Sequence, residues 1–170
     1  MLLSHVGVDV NQSEAQSVSE VEQYDQEFIA LYRSEYPNVV RFAISLTGDP
    51  DIAEDVAQDA FARIHGRLGS LERPGGYLRT VVVILCRDRY RRQAYERRHA
   101  PSPPDGISLQ ASEMVDAMLR LPFKQRAVQV LRYWGDWTEA EIAEAVDCRP
   151  GTVKALASRG LASLRKEVER

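Results

Sequence analysis

The stretch TEAEIAEAVDCRPGTVK, residues 138–154, reads as a short helix, a turn and the start of a second helix. Thr138 followed by Glu141 matches S/T-x-x-E, in which two side chains satisfy each other's orphan backbone N–H groups. Ile142, Ala143 and Val146 supply an inward face. After a turn of three or four residues, Pro150 suits the first turn of a new helix, because its missing N–H has no helical partner there. That order is helix-turn-helix geometry. On the second helix, Val153, Leu156, Ala157, Leu161 and Leu164 share the predicted buried side. Gly151, Ala155, Ser158 and Ala162 lie opposite, flanked by Lys154, Arg159 and Arg165. Small residues allow close approach to a surface, and basic margins suit guanine edges and phosphates. A solvated amphipathic helix is the bland alternative. The spacing and the small central face favour a recognition helix in a major groove.

Working outward, residues 111–119 form a short helical segment. Residues 122–134 place Phe123, Ala127, Val128, Leu131 and Trp134 on one side. Residues 99–110 contain three prolines and a glycine and read as a flexible linker. Upstream, residues 24–46 carry Phe28, Leu31, Tyr32, Val39, Phe42, Ala43 and Leu46 at three- and four-residue intervals. Pro37 predicts a kink or break near Tyr36. Thr47-Gly48-Asp49-Pro50 stops that helix and starts another over 51–68, striped by Ile52, Val56, Ala60 and Ile64 and widened by Ala53 and Phe61. A loop rich in turn formers, 69–76, precedes a third segment over 77–98. Its front, Val81 to Leu85, fits a buried strand or a buried helix. The arginine-rich continuation without breakers favours one long helix. Residues 1–23 are polar, with little periodicity, and read as a disordered tail. The expected fold is all-α. Two small helical domains, 24–98 and 111–170, sit on the flexible linker.

Residues 121–126 (LPFKQR), 130–134 (VLRYW) and 138–154 together resemble region four of extracytoplasmic-function sigma factors. Residues 51–61 (DIAEDVAQDAF) resemble region two of the same family, and the likeness covers about 24–168. It implies an alternative sigma factor. Such a protein binds core RNA polymerase at the β′ clamp helices and β flap, selects promoter DNA by −35 and −10 elements, and is held by an anti-sigma factor. Region four's last helix would read the −35 element through Arg149, Lys154, Ala155, Ser158 and Arg159. Asp51, Glu54, Asp55, Gln58 and Asp59 would dock on polymerase. By charge pattern alone they are equally a solvated face. The 69–76 loop and the helix after it would hold the −10 non-template strand through Ser70, Arg73, Tyr77, Arg79, Arg87 and Arg91. Basic and planar groups suit a single strand. Several positions depart from the family pattern, mildly at Tyr77, where a Trp is common. Arg149 stands where a serine N-cap is usual, Ala155 where serine is frequent, and Ile84 where an asparagine helps form a base pocket.

The remaining features exclude other classes. Net charge is −3, so bare DNA binding should be weak and a larger partner is implied. The charge is uneven: residues 1–23 carry four acids and no Lys or Arg, while 87–98 carry six arginines against two acids. Cys86 and Cys148 are far apart, and His5, His65 and His99 are scattered. No disulfide, metal or cofactor is expected. No phosphate loop or nucleophile–base motif is present, so no catalytic residue and no enzyme is expected. No run approaches the roughly 20 apolar residues of a membrane span, and the start lacks a secretory pattern, so a cytoplasmic protein without membrane insertion is expected. The alternative is a stand-alone helix-turn-helix regulator, which leaves 51–61 unexplained and lacks a sensory module.

Overall fold

The computed structural model describes residues 9–99, 113–133 and 137–168, with side chains over 19–96, 114–133 and 137–167. Among them are seven α-helices and one 3-10 turn, and no strand. Helices α1 (Asp9–Thr47), α2 (Pro50–His65) and α3 (Pro74–His99) pack together as an N-terminal unit, with the 3-10 turn Leu68–Ser70 between α2 and α3. Helices α4 (Glu113–Arg120), α5 (Phe123–Tyr133), α6 (Glu139–Ala145) and α7 (Pro150–Val168) form the C-terminal unit, in which α7 touches each of the other three.

The α1–α2 corner follows from four residues. Gly48 closes α1 with φ at +75°, a left-handed conformation that glycine adopts without steric cost. Asp49 caps α2, its carboxylate accepting from the backbone N–H groups of Asp51 and Ile52 at 2.9 and 3.1 Å. Pro50 then occupies the first turn. Val39, Phe42, Ala43 and Leu46 of α1 meet Ala53, Val56, Ala60, Phe61 and Ile64 of α2 in the core, and Leu78, Val81, Val82 and Val83 close it from α3. Ile52 is only partly buried. The β-branched run of α3 is helical because it is buried against two helices at helical spacing.

Three expectations are corrected. Helix α1 begins at Asp9, inside the stretch read as the disordered tail 1–23. Residues 9–23 hold no Gly or Pro, so a helix anchored by its packed C-terminal half propagates backward without needing an apolar face. Of the kink or break expected at Pro37, the break is absent: α1 runs through it from Asp9 to Thr47. The two units, expected to be independent on a tether, are docked on each other, and one continuous apolar core includes residues of both. The linker 99–110 and Trp134 fall outside the described residues, save for the helical backbone of His99.

Candidate nucleic-acid and polymerase interface

The helix-turn-helix forms as its sequence requires. Glu141 donates its backbone N–H to the Thr138 hydroxyl, and its carboxylate accepts from the Thr138 N–H at 2.7 Å. The Thr138 backbone N–H and then its hydroxyl, both directed at that carboxylate, hold it below the usual carboxylate range. Val146 ends α6, and Asp147 turns the chain with φ at +55°, a left-handed conformation that Asp tolerates better than most side chains. Helix α7 buries Val153, Leu156, Ala157 and Leu164. Leu161, expected inside, is 39% exposed, and the buried position on that side is Gly160. Gly160 lets α7 approach α5 so closely that a Cβ there would lie 2.7 Å from Nε2 of Gln129. Gln129 is itself buried and donates to the Ala157 carbonyl at 2.6 Å. Periodicity missed this contact because it scores Leu as inward and is silent about Gly and Gln.

The opposite face of α7 is open. Arg149, Lys154, Ser158 and Arg159 are exposed and Ala155 is half-buried. Lys154 forms a loose ion pair with Glu139 at 3.9 Å. The acidic ridge of α2 is equally open: Asp51, Glu54, Asp55, Gln58 and Asp59 are all exposed. Asp55 meets Arg89 of α3 at 3.4 Å, a pair too exposed to hold it firmly.

The third set divides. The stretch read as the loop 69–76 is shorter, since the 3-10 turn ends at Ser70 and α3 starts at Pro74; Ser70 and Arg73 are exposed at the ends of this 70–73 loop, and Tyr77 and Arg79 are half-buried on the first turns of α3. Beside that loop lies an open groove lined by Glu27, Leu31 and Ser34 of α1 with Leu68, Gly69 and Pro74. Its α1 wall was not legible in the sequence, because exposed helical residues carry no signal of what they face. Arg87 and Arg91 lie further along α3 and are already engaged. Arg87 donates to the Ala145 carbonyl at 3.3 Å, and Arg91 donates to the Asp147 carboxylate at 2.7 Å. Tyr90, between them, stacks on Phe123 of α5 with ring centroids 5.4 Å apart.

Two family models match the chain: Sigma-70 region 2 over residues 31–95 and Sigma-70, region 4 over residues 111–164. The RNA polymerase sigma-E factor of Streptomyces antibioticus is 33% identical over 153 residues, covering 84% of this chain and 85% of the relative. The chain belongs to the extracytoplasmic-function sigma factors. The sigma factor SigL of Mycobacterium tuberculosis is 29% identical over 151 residues, covering 80% of this chain and 85% of its own. The fold is that of the sigma factor RpoE of Bartonella quintana, solved in complex with the anti-sigma factor NepR. That match has a TM-score of 0.63 and 23% identity, and covers 85% of this chain and 98% of the solved one. As a sigma factor, the chain binds core RNA polymerase and directs promoter-specific initiation. The region 2 match runs from within α1 into α3, and the region 4 match runs from α4 into α7.

Two buried polar groups shape the site's inner side. Arg126 of α5 is buried and donates to the Leu119 carbonyl at 2.7 Å, closing the α4–α5 turn. Burial lowers its pKa, and Tyr90 and Cys86 nearby act in the opposite sense. Burial pushes the Cys86 thiol up to about 12, against the pull of Arg126 and Arg89. Among the described residues, no three His, Cys, Asp or Glu side chains are grouped to hold a metal ion, and no helix is long and apolar enough to cross a membrane.

Proposed function

We propose a division of labour for this sigma factor, acting in the cytoplasm without catalysis of its own. The exposed ridge Asp51, Glu54, Asp55, Gln58 and Asp59 docks on the β′ clamp helices. The small, basic-margined face of α7, with Arg149, Lys154, Ala155, Ser158 and Arg159, enters the −35 major groove, while region four also meets the β flap. Ser70, Arg73, Tyr77, Arg79, Arg87 and Arg91 hold the −10 non-template strand. An anti-sigma factor restrains the protein by covering polymerase-binding surfaces.

The observation that carries this reading is the solvent exposure of both the α2 ridge and the outer face of α7, each built on a rigid helix. The test separates the two surfaces. Lys154→Ala with Arg159→Ala is expected to lose roughly 1–3 kcal/mol of −35-dependent binding per residue while core binding stays intact. Glu54→Lys with Asp55→Lys is expected to weaken core binding in a folded protein. Loss of core binding by the α7 pair, or its retention by the α2 pair, defeats the assignment.

A further inference from the structure

Helix α1 outruns the bundle it belongs to. The last turn of α2 meets α1 at Tyr24 and Phe28, which hold the His65 ring edge-on with centroids 5.6 and 4.6 Å away. Residues 9–23 continue beyond that contact as about 22 Å of helix. They also precede the region 2 match, which starts at residue 31. Residues 19–23 of this arm are all exposed, Val21 by 60%. The arm is anchored at one end only, so a partner along it would add the stability that packing gives most helices. Charge defines the partner. Residues 9–27 carry six acids and no Lys, Arg or His. Two such arms side by side would repel, so the surface that suits the arm is basic. The same chain carries one. Residues 87–98 hold six arginines against two acids. Arg92 there is exposed, and Tyr95 is 67% exposed. Arginines with an aromatic ring suit a helix that offers carboxylates around an exposed valine. The two surfaces cannot meet within one chain. Gly75, at the start of α3, lies beside Glu35 in the middle of α1, and Arg89 meets Asp55 in the first half of α2. Helix α3 therefore runs parallel to α1, and its arginine-rich end lies at the opposite end of the bundle from the arm.

We propose that the acidic arm of α1 is a self-association element: it lies along the arginine-rich end of α3 of a second copy, and the contact is made twice about a two-fold axis. An antiparallel pair brings each arm onto the other chain's α3 and leaves no complementary surface open, so assembly stops at the dimer. The inference is independent of the strand contacts assigned to Arg87 and Arg91.

The test is sedimentation velocity of the full chain, with circular dichroism to verify that each variant is folded. At about 50 mM salt a dimer is expected to grow in with concentration, and to disappear at about 0.5 M salt, where charges are screened. One variant reverses the arm, Glu22→Lys with Asp25→Lys. Both residues are exposed. The other reverses α3, Arg92→Glu with Arg98→Glu. Each alone is expected to weaken dimerisation about tenfold or more, since like charges then face each other at both contacts. Mixed in equal amounts, the two variants are expected to pair again. The lysines of one arm meet the glutamates of the other chain's α3, and the second contact keeps its native charges. A wild-type chain that stays monomeric at low salt into the high micromolar range overturns the inference and leaves the arm to a different protein. An arm variant that dimerises as well as the wild type overturns it too, as does a mixture that fails to pair or growth to species larger than a dimer.

Discussion

Gly160→Ala ordinarily stabilises a helix, by about 1 kcal/mol in an interior position. In α7 the opposite sign is expected. The new methyl would lie 2.7 Å from Nε2 and 3.4 Å from Cγ of Gln129, with the Gln125 Cβ at 3.5 Å. Nε2 is the end of a flexible side chain, but it is buried and committed to the Ala157 carbonyl at 2.6 Å. Moving it leaves a buried amide unpaired, at a cost of about 1–3 kcal/mol. Keeping it there forces α5 and α7 apart, with an overpacking cost of similar size. Against the propensity gain, the net loss is about 1–2 kcal/mol. At about 2–4 °C per kcal/mol for a chain of this size, melting should fall by several degrees. The decisive assay is a double-mutant cycle in denaturant. With Gln129→Ala the obstacle is gone, and adding Gly160→Ala should then stabilise by up to about 1 kcal/mol. A stabilising Gly160→Ala in the wild-type background would refute the reasoning, because Gln129 would then yield at no cost.

Gly48→Ala combines a positive-φ position with a Cβ 2.6 Å from Leu119. A loss of about 1–2 kcal/mol is expected by denaturation, part of it recovered in the Leu119→Ala background. The Cys86 thiol, buried and with its pKa pushed up to about 12, should resist alkylation at pH 8 in the native protein and react at once in denaturant. The Asp147 carboxyl is held below its ordinary value, first by the hydrogen bond from Arg91, then by the charges of Arg91, Arg87 and Lys124. A lowered native pKa means the contact is fully supported above the ordinary value, about 3.9, and is lost only as pH falls through the lowered one. The Arg91–Asp147 pair should therefore persist from about pH 5 to 8 in an NMR titration of the Asp147 carboxyl, and added salt at neutral pH should weaken it, because both partners are more than half exposed.

Helix identity was legible where apolar residues recur at helical spacing: α2, α5 and α7 follow from Val56, Val128 and Val153 and their neighbours, while α3 needed the breaker-free arginine-rich continuation beyond its apolar run. The caps were legible too, since Asp49–Pro50 and Thr138–Glu141 work by local chemistry. The start of α1 was not, because residues 9–23 lack an inward face and helical continuation there depends on the anchored half. Leu161 was misplaced because a wheel cannot see that Gly160 and Gln129 bring α5 in from one side. The family resemblance, supported by residue type, marked Arg87 and Arg91 as nucleic-acid ligands. Only the folded chain shows their present partners, which lie 58 and 56 positions downstream. Long-range docking of that kind leaves no periodic trace.

The apolar core shared by α1–α3 and α5–α7 has a consequence for how the chain melts. Two lobes with separate cores would each have their own heat-absorption peak, and the smaller, held by α4–α7, would go first. A shared core couples them, so calorimetry of the native chain should give one peak whose van't Hoff and calorimetric enthalpies agree. The same coupling bears on synthesis. The α1–α3 lobe leaves the ribosome first, with the Gly48 corner and Tyr90 still waiting for Leu119 and Phe123. Its stability at that stage is less than it will have in the finished molecule.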